Sequence, residues 1–171
     1  MTLPEGAIAA AVLFILFSLL FSLLFPSVGP GISTGKKCQA KNDVTQIATA
    51  VIAFEIEYGR LPGTNRGAVG GKVLAALMGS NSAINPRGVV FLEVNPARNG
   101  KSGISNGLFV DPWGGAYQAA YASGTNNRVI AGTNGIEVHK RVAVWNDPTL
   151  GKEEWKLSLP LRARRYVTSW E

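Results

Sequence analysis

Gly100-Lys101-Ser102 follows an apolar run at 89–94 and matches the end of a phosphate-binding loop. In such a loop, backbone amides and a lysine cradle phosphate between a strand and the helix after it. The first glycine of that pattern falls on Asn95, and Gly103 and Gly107 stand where helix formers are needed. The nucleotide reading fails on both counts. His139, the single histidine, lies beside Lys140 and Arg141. A general base needs a carboxylate or nucleophile within reach, and local spacing supplies none, so it reads as a surface histidine. Cys38 is the single cysteine, which excludes an internal disulfide and a Cys/His zinc cluster. One thiol alone reads as buried or incidental.

Arg162, Arg164 and Arg165 precede Tyr166 and Trp170, a mixture that could hold phosphate by charge and stack bases on rings. No recognised binding module accompanies it, and a solvated basic tail is the plainer reading, with Glu153 and Glu154 as nearby counter-charges. The chain of 171 residues has 17 Lys and Arg against 11 Asp and Glu, a formal charge of +6. No catalytic constellation emerges, and the expectation is a non-enzyme without cofactor or metal. The most informative short word is Asp111-Pro112-Trp113-Gly114, followed by Tyr117. Asp111 can accept turn amides, Pro112 fixes φ, Gly114 permits a positive φ, and Trp113 and Tyr117 supply large apolar contacts. It predicts a structural turn entering a strand.

The elements that must position these residues follow from patterning. Residues 7–25 carry no charge, and as a helix they extend roughly 28 Å, close to a hydrocarbon core of about 30 Å. A membrane-spanning helix is expected over a cleaved signal, because the run is long and no basic segment precedes it. Lys36, Lys37 and Lys41 all follow it, so the positive-inside rule alone would put the remaining chain in the cytoplasm. Prolines and glycines at 26–31 predict a flexible link to about Gly35, with a second helix capped by Ser33 or Thr34 and ending at Tyr58. Val44, Ile47, Val51, Phe54 and Tyr58 form one apolar stripe on it. A short helix is expected at 72–78, then strands at 89–94, 117–121, 128–131 and 142–145, with an exposed, mobile loop at 95–107. Helices followed by short antiparallel strands give an α+β domain.

The order of these words resembles the pseudopilins of bacterial type II secretion, particularly the major, G-type subunit. The resemblance rests on the apolar N-terminal helix, the second helix ending Tyr58-Gly59-Arg60-Leu61-Pro62, Asp111-Pro112-Trp113-Gly114 with Tyr117, and the strands after it. LAALMG at 74–79, Asn85-Pro86-Arg87 and Phe91-Leu92-Glu93 look like a variant found in type II secretion-like proteins of Verrucomicrobia and Planctomycetes. Val167-Thr168-Ser169-Trp170 resembles the usual C-terminal ending.

The resemblance implies a pilin-like fold. Residues 1–35 would be a transmembrane anchor and Gly/Pro link, and 36–171 a periplasmic domain whose amphipathic helix packs on a small antiparallel sheet. It implies a structural subunit of a secretion pseudopilus or related type IV pilus-like fibre, supporting protein export. Partners would be further copies, other pseudopilins, the inner-membrane secretion platform and the lipid bilayer, with no nucleic acid. Met1-Thr2-Leu3-Pro4-Glu5 keeps the family's Thr, Leu and Glu in register, with Pro in place of Ile and without the basic leader of family precursors. Glu5 would then be the assembly residue, pairing with the N-terminal amine of a neighbouring subunit. The family's Asp-Gly-rich calcium loop has no counterpart around Asn146-Asp147 and Glu153-Glu154, so calcium is not carried over. The alternative is a membrane-tethered binding module for carbohydrate or nucleic acid, using Trp113, Trp145 or the arginine tail.

Overall fold

The structure is a computed structural model that describes residues 5–24, 28–63, 66–122, 127–132, 135–146 and 166–170. The chain divides into two compact units, Met1–Lys36 and Lys37–Glu171. The first contains α1 (Glu5–Leu24) and the start of α2 (Val28–Tyr58). Six consecutive side chains, Val12, Leu13, Phe14, Ile15, Leu16 and Phe17, are each more than half exposed, so α1 is apolar around its whole circumference. Among the described residues, nevertheless, no helix is long and apolar enough to cross a membrane. The expected N-terminal apolar helix is present, and the structure does not support its crossing a membrane.

The helix α2 begins at Val28, where the sequence led us to expect a flexible link to about Gly35. Pro30 falls in the first turn, whose N–H groups have no intrahelical acceptor, so proline forfeits no bond there. In the second unit, Ala40, Val44, Ile47, Val51 and Phe54 of α2 are fully buried. The helix ends as expected at Tyr58: Gly59, at φ 65°, donates its N–H to the Glu55 carbonyl at 2.8 Å.

Among the described residues, β1 (Gly67–Ala68), α3 (Gly71–Leu77), β2 (Gly103–Ser105), β3 (Leu108–Val110), β4 (Tyr117–Tyr121), β5 (Val129–Ala131), β6 (Ile136–Val138) and β7 (Val142–Asn146) follow. An antiparallel sheet has the order β1-β4-β7, and β2-β3 and β5-β6 form two separate antiparallel pairs. This is the expected α+β class with small antiparallel sheets. Tyr117, Ala119, Val142 and Val144 join the α2 stripe, Leu74 and Leu77 in one core. Ala120, Ala143 and Trp145 point the other way and join Val129, Ala131 and Val138 in a second. Alternation along β4 and β7 thus leaves the sheet covered on both faces.

Two sequence expectations are corrected. The apolar run at 89–94 is not a strand: the amides of Phe91 and Leu92 both donate to the Leu77 carbonyl, and Phe91 meets Phe54 edge-on at 5.5 Å. Its side chains are held by helix ends, which satisfies the backbone without a partner strand. The stretch at 95–107 is not one exposed loop either. Ile104 donates to the Asn95 carbonyl and Ala97 to the Ile104 carbonyl, each at 2.9 Å, around a buried Gly103. A Cβ on Gly103 would lie 2.3 Å from the Asn95 carbonyl oxygen, and its φ is 146°, so glycine is required by both contact and conformation.

Candidate functional site

The Asp111-Pro112-Trp113-Gly114 word forms the expected turn. Asp111 Oδ1 accepts the amides of Trp113 at 2.8 Å and Gly115 at 2.9 Å, while Gly114, at φ 97°, donates to the Asp111 carbonyl at 3.0 Å. Asp111 and Pro112 are buried; Trp113 and Gly114 are half-buried. The other carboxylate oxygen of Asp111 accepts from Asn146 Nδ2 at 3.1 Å. Asn146 in turn accepts the Val167 amide at 2.7 Å through Oδ1, and its own N–H donates to the Val167 carbonyl at 3.2 Å. The C-terminal segment is therefore strapped along β7. Ser169 completes the strap by donating to the Val144 carbonyl, and its hydroxyl oxygen accepts the Val144 amide. Lys41 Nζ on α2 donates to the Thr168 carbonyl at 2.8 Å.

Sequence reasoning missed Asn146 as the joint of this network, and it missed Asp43. Asp43 lies on the apolar face of α2, four residues before Ile47, and accepts the Tyr117 hydroxyl at 2.7 Å in the core. A carboxylate within an apolar stripe is the signal that could have found it. Asn85 was also missed as a structural residue. It is fully buried, donates to the carbonyls of Ala76 at 2.8 Å and Val89 at 2.7 Å, and accepts the Tyr58 hydroxyl.

Burial raises the Asp43 carboxyl above the ordinary 3.8; the Tyr117 bond opposes this, and the charge of Asp111 adds to it. Burial likewise raises Asp111, against the opposing bonds from Asn146 and the turn amides. Tyr117 is raised by burial and by Asp43, so its hydroxyl stays a donor. Burial pushes Tyr121 up to about 12. Each carboxyl holds its proton to a higher pH folded than unfolded, so the folded state binds more protons in the interval above 3.8. The stability these groups contribute is greatest at the acid end of that interval and declines as pH rises through it. Asp43→Asn keeps an acceptor for Tyr117 without the charge. It is expected to be more stable than the native chain near pH 7 and to flatten this decline, read from urea melts at pH 4.5 and 7.5. Equal slopes for the two proteins would contradict the assignment.

The other sequence candidates are not brought together. Cys38 and His139 are exposed. Lys101 lies in a turn closed by reciprocal Arg98–Lys101 backbone bonds at 3.0 Å, and strand β2 follows it where a phosphate loop requires a helix. Trp145 is fully buried, with the Arg66 guanidinium 5.0 Å above its ring and Trp170 edge-on at 6.0 Å. Tyr166 and Trp170, read as stacking rings of a tail, pack on this second core. Arg162, Arg164, Arg165, Asp147, Glu153 and Glu154 lie outside the described residues, as does the side chain of Glu5, which opens α1. No group of three or more His, Cys, Asp or Glu suited to a metal ion occurs among the described residues.

No protein-family model, curated protein or solved structure matches the chain.

Proposed function

We propose that the chain is a single-pass inner-membrane subunit of a type II secretion pseudopilus or a related pilus-like fibre, with residues 36–171 in the periplasm. The observation that carries this reading is α1, whose side chains from Val12 to Phe17 expose apolar surface in every direction. Leu13 at 68%, Phe14 at 75% and Phe17 at 67% exposure have no counterpart on a helix meant for water. Such an apolar surface is suited to acyl chains or to similar helices. The long α2 after it, with one stripe in an α+β core, supports the pilin-like reading, as does the resemblance carried by the Tyr58 and Asp111 words. The binding-module alternative loses Trp145, whose ring is inside the fold.

Topology decides against the positive-inside count if a C-terminal alkaline phosphatase fusion is active and its membrane form resists extraction at high pH. A well-expressed, membrane-bound but inactive fusion would reverse the orientation. Glu5 is the assembly residue in this reading, because a carboxylate beside hydrocarbon gains from a neighbouring subunit's positive amine. Glu5→Gln should leave membrane insertion and domain stability unchanged while lowering incorporation into fibres. Normal incorporation would instead assign Glu5 to the headgroup region as a favourable charge at a helix start.

A further inference from the structure

The joint between Asp111 and Asn146 is complementary in one protonation state only. Asp111 is 1% exposed and Asn146 is fully buried. With the carboxylate charged, its Oδ1 takes the amides of Trp113 and Gly115, its Oδ2 takes Asn146 Nδ2 at 3.1 Å, and Asn146 Oδ1 is left facing the Val167 amide at 2.7 Å. A proton on this carboxyl belongs on Oδ2, because Oδ1 already accepts two N–H groups. There it would face Asn146 Nδ2, donor against donor. Turning the amide over repairs that pair and moves the same conflict to the strap, where Nδ2 would meet the Val167 N–H. In either orientation one buried donor loses its acceptor.

We infer that protonation of Asp111 turns the Asn146 amide over and loosens the Val167 end of the C-terminal strap from β7, making the strap an acid-sensitive latch. The change is local. Ser169, whose amide donates to the Val144 carbonyl at 2.8 Å, and Lys41, bonded to the Thr168 carbonyl, hold the other end of the strap in both states. Burial raises the Asp111 carboxyl above the ordinary 3.8, against the bonds from Asn146 and the turn amides, which moves the arrival of the proton toward milder acid. Among the described residues, the titratable groups coupled to Asp111 are Asp43 on α2 and Tyr117 on β4, which are bonded to each other. A charged Asp43 favours the proton on Asp111. The 98–101 turn adds Lys101, whose stem would meet a Cβ on Gly114 at 3.7 Å. The latch operates wherever α1 lies.

The test follows the full chain in detergent micelles by NMR from pH 7.5 downward. The Cγ signal of Asp111 and the amide signal of Val167 should shift with one midpoint, above 3.8. Across that step the Val167 amide, corrected for intrinsic exchange, should lose at least about tenfold of its protection while the amides of β4 keep theirs. A tenfold loss corresponds to about one unit between the Asp111 pKa of the latched and loosened states. Asp111→Asn carries an N–H where the protonated acid carries its O–H and still offers Oδ1 to the turn. It should therefore show the loosened Val167 amide at pH 7.5 and no further response to acid. Asp43→Asn should keep the response, with its midpoint moved to lower pH by the loss of a neighbouring charge. Constant Val167 protection through the Asp111 step, native protection of Val167 in Asp111→Asn, or a response abolished by Asp43→Asn would overturn the proposal. So would simultaneous loss of protection at Val167 and throughout β4, which would make the step global unfolding.

Discussion

Replacing Trp145 by alanine is expected to cost the unit Lys37–Glu171 about 3–5 kcal/mol in urea melts, the largest effect of any single substitution considered. The ring is fully buried in the second core, which also holds Ala120, Val129 and Val138, and Trp170 meets it edge-on at 6.0 Å. Its loss leaves a cavity that a three-stranded sheet cannot collapse into, because the opposite face of β7 is fixed by Val142 and Val144 in the first core. It also removes the ring beneath the Arg66 guanidinium, whose Nη2 donates to the Gly132 carbonyl at 2.6 Å. Trp113, the tryptophan that the sequence singled out, is half-buried and should cost less than about 2 kcal/mol as alanine. Equal losses at the two positions would contradict this division between core and rim.

Asn146→Ala is expected to cost about 2–4 kcal/mol, although it deletes only an amide. One side chain satisfies two buried partners, the Asp111 carboxylate and the Val167 amide, and truncation leaves both without that bond in a water-poor place. The loss should also loosen the strap. Hydrogen exchange at the amides of Val167 and Ser169 is expected to accelerate well before the amides of β4 do. Asn146→Asp should be at least as damaging, since it puts a second carboxylate against Asp111. A loss under about 0.5 kcal/mol with unchanged exchange at Val167 would mean that the strap is held by its backbone bonds alone.

How much of this was legible in the sequence differs by interaction range. The α2 stripe was legible because five apolar side chains recur at helical spacing, and β4 and β7 were legible because β-branched and aromatic residues are bounded by turn formers. The turn at Asp111 was legible because its bonds close within five residues, Asp111 to Gly115. What stayed hidden depends on partners distant in sequence. The pairing of Asp43 with Tyr117, and of Asn146 with Asp111 and Val167, joins residues that no local spacing relates. The run at 89–94 has strand composition, yet its backbone bonds to the end of α3, a tertiary choice that overrides propensity. β2 was hidden for the opposite reason: glycine and serine give no strand signal, and a close backbone approach at Gly103 dictates the pairing. Pro30 misled because a helix breaker in the interior is harmless in a first turn.

The central claim, that α1 anchors and assembles this chain as a pilin-like subunit, is tested most directly by electron microscopy of cells that express the full chain together with a matching secretion system. The account predicts fibres at the cell envelope that a labelled antibody against residues 36–171 decorates along their length. Full-length, membrane-inserted protein with no decorated fibres in repeated preparations would contradict it.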